Sequence, residues 1–305
     1  IWGEKMRKRE KEITNKIALS TSEKVIVVIS YVFMGFLALC AILPVLHVVS
    51  KSFSSAAAVT AGQVLFWPIK PQFETMQYVL EETPFLNSLK NSLIVTGVGT
   101  VVSMLVTIGT AYPLSKPNFK GRKIFILAYI VSMVFFGGIV PAYMVVRSLG
   151  IIDTYFALIL PFFIVHFNMF VVKNYFEGLP ESVEESARID GASDLRILVS
   201  IVCPMSKPVL ATVAMLYAVN YWNNYFHATM YTTSTTMQTL QVFIYNTINN
   251  TQTLVERLVI GHYTNVSIDG VIAAVVVLSM IPIVALYPFV QRYMIHGITI
   301  GSVKG

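Results

Sequence analysis

An all-α integral membrane protein with six transmembrane helices is the fold class this sequence predicts, and three observations predict it. Of its 305 residues 55% are hydrophobic and 12% charged, where soluble proteins carry roughly 25% charged residues. Six apolar runs, none with a formal charge in its middle, recur along the chain, each near the length of about 20 residues that a helix needs to cross a hydrocarbon core of about 30 Å. The basic residues are also distributed asymmetrically among the segments between the runs.

Residues 1–24 mix seven basic residues with Glu4, Glu10, Glu12 and Glu23, which reads as a polar cytoplasmic arm. Residues 25–49 are free of charge and too long for the apolar part of a signal peptide, so they form a first span. Residues 50–86, with Trp67-Pro68 and Lys70-Pro71, break the hydropathy with turn formers and form an external segment. The second span covers 92–114 and the third 124–146, joined by SKPNFKGRK with four basic residues. A short turn, RSLGIIDTY, leads into the fourth span at 156–175; the fifth covers 209–231 and the sixth 271–291. With both termini inside, seven basic residues lie in the arm, four in the second-third loop, four from Lys173 to Lys207 and two in the tail, leaving five outside. That split obeys the positive-inside rule, and it makes the net charge of +6 a topological signal rather than a sign of nucleic-acid binding.

The loop at 179–208 is a charged amphipathic insert between two apolar runs. Pro180 suits a first helical position, and Glu181, Glu184 and Glu185 follow where negative charge complements the helix dipole. Glu184 and Arg188 stand in the favourable i,i+4 order, and Val183 and Ala187 share another face. Gly191 breaks the run after Asp190, and Ser193 with Asp194 can cap a second helix. Helix, turn and helix therefore lie outside the hydrocarbon.

Glu185-Ser186-Ala187, Gly191, Ile201 and Cys203-Pro204 reproduce a loop pattern written Glu-Ala-Ala, three residues, Gly, nine residues, Ile, one residue, Leu-Pro. On this loop the chain resembles the permease subunits of ATP-binding-cassette importers of type I, with Ser186 and Cys203 as departures. ARIDGAS, from Ala187 to Ser193, and the tail HGITIGSVKG resemble the carbohydrate-uptake branch, the maltose-permease family and its LplC/YtcP branch. The resemblance covers nearly the whole chain. It implies a cytoplasmic coupling helix, with Glu181, Glu184, Glu185, Ala187, Arg188, Asp190 and Gly191 meeting an ATPase. It further implies a bacterial plasma-membrane location, a homologous second permease, two ATPase subunits holding ATP and Mg, an extracytoplasmic solute-binding protein, and an oligosaccharide or polysaccharide-fragment substrate. An amphipathic helix resting on lipid is the plainer reading of the same loop.

The chain holds no Gly-x4-Gly-Lys-Ser/Thr phosphate loop, no HExxH and no GxSxG elbow, so ATP chemistry falls to a partner and the chain itself is not expected to be an enzyme. No metal set follows from Cys40 and Cys203. An ion-coupled secondary transporter of a neutral solute is the alternative, weakened because such carriers place charged side chains at mid-membrane. The polar groups inside the spans are uncharged: His47, Ser103, Thr107, His166, Asn168, Asn220, Asn223, Asn224 and His227. Amides beside aromatic rings suit a polyhydroxylated solute, which places Asn168, Asn220, Trp222, Asn223 and Tyr225 along a transport path. Interhelical glue and an interfacial aromatic belt compete with that reading; His47 and His166 are expected to pack.

Overall fold

The computed structural model describes residues 20–135, 137–261 and 263–301, and these form helices joined by short turns. The first, α1 (Thr21–Ser52), begins at Ser20, whose hydroxyl accepts the Glu23 N–H while the Glu23 carboxylate accepts the Ser20 N–H. This reciprocal cap starts the helix inside the expected arm; residues 1–19 of that arm, and 302–305 of the expected tail, lie outside the described residues. Large apolar side chains of α1 from Val25 to Leu46 are exposed on all sides, as suits a helix surrounded by lipid. Two short helices, α2 (Ala56–Thr60) and α3 (Glu74–Glu82), occupy the segment expected to be irregular, and α4 (Phe85–Ser115) begins at Phe85 rather than Ser92.

Three of the expected spans are bent or interrupted. The third is split into α5 (Arg122–Val134) and α6 (Ile139–Ser148), where Gly138 adopts φ of 90°, a left-handed value that Gly alone takes cheaply. The fourth is split into α7 (Tyr155–Ile159), a 3₁₀ turn at Leu160–Phe162 and α8 (His166–Glu177), with a bend of 51°. Pro161 brings no N–H to the helical ladder at that break. The loop then supplies α9 (Glu181–Ile189), α10 (Asp194–Ile197), a π turn at Leu198–Val202 and α11 (Cys203–Met205). After an 87° bend follows α12 (Lys207–Trp222). Its 16 residues extend roughly 24 Å, and the fifth expected span resumes only as α13 (Phe226–Tyr231). The segment expected to be a polar loop contains α14 (Leu240–Asn249) and α15 (Thr251–Ile260), and α16 (Ile268–Gly301) continues through most of the expected tail. Among the described residues α1, α4 and the stretch Ile268–Leu286 are each long and apolar enough to cross a membrane, and the number rises to as many as six if each of the three bent pairs is one span.

α4 is the central post, with α12 and α8 packed along it. Their shared core includes Val95, Ala111, Met169, Val172 and Val213, and it reaches into the loop through Ile197 and Val202, both fully buried. The second half of the loop is thereby fixed to the spanning helices by apolar contact. A separate cluster caps the opposite end of α4. There Met76, Tyr78 and Val79 of α3 meet Leu240, Phe243 and Leu254, which explains why polar-looking stretches became helices: each has one apolar face, and the two faces cover each other.

Candidate functional site

On α9 the side chains divide sharply. Glu181, Glu185, Arg188 and the following Asp190 are exposed, whereas Glu184 is buried. Lys116, just beyond the end of α4, donates to Glu184 Oε1 at 2.5 Å, and the Tyr112 hydroxyl lies 3.5 Å from Oε2. The Lys116 ammonium also stands 4.8 Å from the Tyr112 ring centre, a cation–π distance. This corrects two expectations: Glu184 points inward, and it does not pair with Arg188. A carboxylate turned away from water needs a close cation, and Lys116 supplies it, while Arg188 reaches forward to Asp194 Oδ1 at 3.2 Å on the surface.

The turn between the two loop helices has the form the sequence called for. Gly191 has φ of +80° with nothing crowding it, its N–H bonds the Arg188 carbonyl, and the Ala192 N–H bonds that of Ala187. The Ser193 hydroxyl accepts the Arg196 N–H at 3.4 Å and so caps α10. Ala187 lies half-buried on the core. Ile189 and Leu195 flank the turn with 87% and 70% of their surfaces exposed, a pair of bare apolar side chains that charge-based reasoning passed over.

A second joint lies beside the first. Glu177 at the end of α8 accepts from Arg122 Nη2 at 2.5 Å and from Lys173 one turn back, and Arg122 Nε donates to the Leu114 carbonyl at 2.9 Å. The Lys173 hydrogen bond, and then the Lys173 and Arg122 charges, hold the Glu177 carboxyl below the usual Glu range against the opposing effect of burial. Arg122 thus ties the start of α5 to the ends of α4 and α8, Lys173 braces Glu177 within α8, and the Lys116–Glu184 pair joins α4 to the loop.

Within the bundle, two tyrosines one turn apart on α12 repair the break in the fourth span. The Val165 N–H donates to the Tyr217 hydroxyl at 3.0 Å, which also contacts Thr107 Oγ1 at 2.7 Å. The Tyr221 hydroxyl donates to the Ile159 carbonyl at 3.2 Å and contacts Ser103 Oγ at 2.9 Å. Backbone groups released from a helix inside a membrane must find such partners. A Cβ at Gly99 would stand 2.8 Å from the Tyr221 ring, so only Gly permits the ring to lie on α4. Ser103 and Thr107, and Tyr217 and Tyr221, share a spacing of four, a signal the sequence carried.

The five expected path residues are divided among different surroundings. Asn168 is buried on α8; Trp222 is buried in the capping cluster, with no partner for its indole N–H among the described residues. Asn220 and Asn223 are exposed, Asn223 donating to the Val219 carbonyl at 3.0 Å. The Tyr225 ring is half-buried and lies 4.5 Å from that of Tyr245. His47 bonds the Leu65 carbonyl and His166 bonds Ser132. Among the described residues no group of three or more His, Cys, Asp or Glu side chains is arranged to hold a metal ion.

The pattern for "Binding-protein-dependent transport system inner membrane component" matches residues 103–300, which span α8 to α12 and both joints. The chain belongs to this family. Among its relatives, Protein LplC of Bacillus subtilis (strain 168) is 39% identical over 279 residues, covering 91% of this chain and 94% of LplC. The polygalacturonan/rhamnogalacturonan transport system permease protein YtcP of the same organism is 36% identical, covering 90% and 96%. A chain from the crystal structure of a bacterial ABC transporter involved in the import of the acidic polysaccharide alginate superposes with a TM-score of 0.85 at 35% identity, covering 90% of this permease and 99% of that chain. The permease family is a membrane component, which agrees with the absence of a phosphate loop from this sequence.

Proposed function

We propose that this chain is the membrane-spanning permease subunit of an ATP-driven importer of oligosaccharides or polysaccharide fragments, and that α9 is its coupling helix. The observation that carries the reading is the two-sided loop: α9 exposes Glu181, Glu185 and Arg188 with the bare side chain of Ile189, α10 adds that of Leu195, and Glu184 fastens the other side of α9 to α4. A face of exposed apolar groups rimmed by charge suits a protein partner. ATPase subunits holding ATP and Mg would press on this face; the Glu184–Lys116 contact and the buried Ile197 and Val202 would pass the displacement to α4 and α12. Two alternative packings of the bent spans would then open the path to one side or the other.

In the same reading the chain crosses a bacterial plasma membrane six times with both termini in the cytoplasm. A homologous second permease completes the path, and an extracytoplasmic solute-binding protein delivers the saccharide. Asn168, Asn220, Asn223 and Tyr225 remain proposed path residues, while Trp222 acts from within the cap. Family membership sets the ion-coupled secondary transporter aside. Purification from native membranes, mass spectrometry of co-purifying proteins, and uptake into vesicles with and without internal ATP test the proposal. Co-purification of an ATPase with ATP-dependent saccharide uptake is expected; a chain that purifies alone and transports without ATP contradicts it.

A further inference from the structure

The end of α4 remote from the coupling loop carries a cleft of about 270 Å³ between the Thr83-Pro84 turn, residues 232–238, α14 and α15. Its outer wall is pinned in place. Asp153, at φ of 63°, accepts the Thr233 and Ser234 N–H groups at 3.1 Å each, and Asn87 and Asn91 both donate to the Thr236 carbonyl at 2.8 Å. Asn91 also donates to the Gln238 carbonyl at 2.9 Å, and the Leu240 N–H bonds Ser92 at 2.8 Å. Backbone held this way does not collapse into the cleft.

What faces the cleft is chemically one-sided. Gln238 is 8% exposed, yet among the described residues its side-chain amide has no hydrogen-bond partner and lines the opening. Asn246 and Asn250 line it too, without side-chain partners among those residues, and Arg257 adds a guanidinium that no described carboxylate pairs. Among the described residues no Asp or Glu lines the space; Val242, Phe243 and Leu254 supply an apolar floor. The Gln238 amide opens to the cleft, where water reaches it, and a ligand that displaces that water has to replace its hydrogen bonds. Amides offer both donors and acceptors to sugar hydroxyls, a guanidinium grips a carboxylate bidentately, and an aromatic floor suits the C–H face of a sugar ring. A neutral sugar leaves the guanidinium unused, and a bare phosphate leaves the amides and the floor unused.

We propose that this cleft is a receiving site for the end of a uronate-bearing, anionic oligosaccharide, with Arg257 reading the carboxylate and Gln238 and Asn246 the hydroxyls. Its volume lies at the lower edge of the range of about 300–1,000 Å³ usual for ligand pockets, which fits a chain end rather than a polymer. The proposal rests on the importer reading and sharpens its substrate class.

The test uses the permease purified with its co-purifying subunits, titrated with trigalacturonate and with the same trimer after reduction of its carboxyl groups. Tighter binding of the acidic trimer, by about tenfold or more, is expected from a charge-assisted contact. Arg257→Gln should abolish that preference, with the acidic trimer falling to the affinity of the neutral one. Asn250→Asp, at an exposed position, should also abolish it by opposing the carboxylate, and it leaves the guanidinium intact. Equal affinity of the wild type for both trimers, retention of the preference by Arg257→Gln, or displacement of the acidic trimer by an equal concentration of inorganic phosphate would each overturn the proposal. ATP-driven uptake of saccharides without acidic preference sinks the cleft and spares the importer; selective binding without any ATP-driven uptake does the reverse.

Discussion

The two ends of α4 solve opposite problems. At the Lys116 end every charged group turned toward the bundle has a partner: Glu184 with Lys116, Glu177 with Arg122 and Lys173. At the Thr83 end polar side chains stand in and around a cleft without partners among the described residues, although the backbone that carries them is tied down. On the proposed reading the Lys116 end transmits a displacement and has to be closed, because a loose contact absorbs the motion, whereas the Thr83 end receives a solute and has to keep its bonding groups unspent. The capping cluster, the joints and the repaired break should therefore answer to stability measurements, and the exposed face of α9 to coupling measurements.

The largest loss of stability is expected at Trp222. Its burial among Phe85, Leu240 and Phe243 makes Trp222→Ala a cavity-forming change worth about 3–5 kcal/mol, read as a fall in the melting temperature of the purified protein. Unchanged melting with impaired uptake would instead place the ring on the transport path. Next comes the joint: Glu184→Ala leaves Lys116 without its partner and should cost about 3 kcal/mol. The double replacement Glu184→Met with Lys116→Met should recover most of that loss, and failure to do so would show that the pair does not act as a unit.

Tyr221→Phe should cost about 1–3 kcal/mol by removing the hydroxyl's bonds to the Ile159 carbonyl and Ser103, and a smaller loss would mean that water enters the break. The smallest effect belongs to Glu177. Its carboxyl is held below the usual Glu value, so its stabilisation is complete above the unfolded value and is lost as pH falls through the folded one. The gap in melting temperature between wild type and Glu177→Gln should accordingly close as pH drops below about 4. A gap independent of pH would assign the effect to packing.

Much of this was legible in the sequence, for reasons that differ by region. The large apolar side chains of α1 from Val25 to Leu46 are exposed, so hydropathy alone located it, and the loop was legible because Gly191 and Ser193 are local signals for a turn and a cap. The breaks escaped because apolar composition continues through them; Gly138 and Pro161 marked them, but hydropathy does not register backbone geometry. Glu184 was misdirected because Lys116 is 68 residues away in the chain, while Arg188 stands one turn along the same helix. The cap escaped because α3, α14 and α15 are each apolar on one side only, and their partners are distant in sequence. For the path residues, composition identified suitable chemistry without a location, and nothing local in the sequence ties Tyr217 and Tyr221 to the backbone of the broken span, more than 50 residues away.

Coupling is the central claim, and the turn at Gly191 tests it most directly. A side chain at φ of +80° is strained even with open space around it, so Gly191→Val should tilt α9 against its partner without altering any span. The measurement is solute-stimulated ATP hydrolysis by the reconstituted transporter, at matched membrane abundance, for Gly191→Val and for Glu185→Lys, which reverses a charge on the exposed face. The account predicts that both variants insert normally and lose stimulated hydrolysis together with uptake. Wild-type hydrolysis and uptake in both would contradict it.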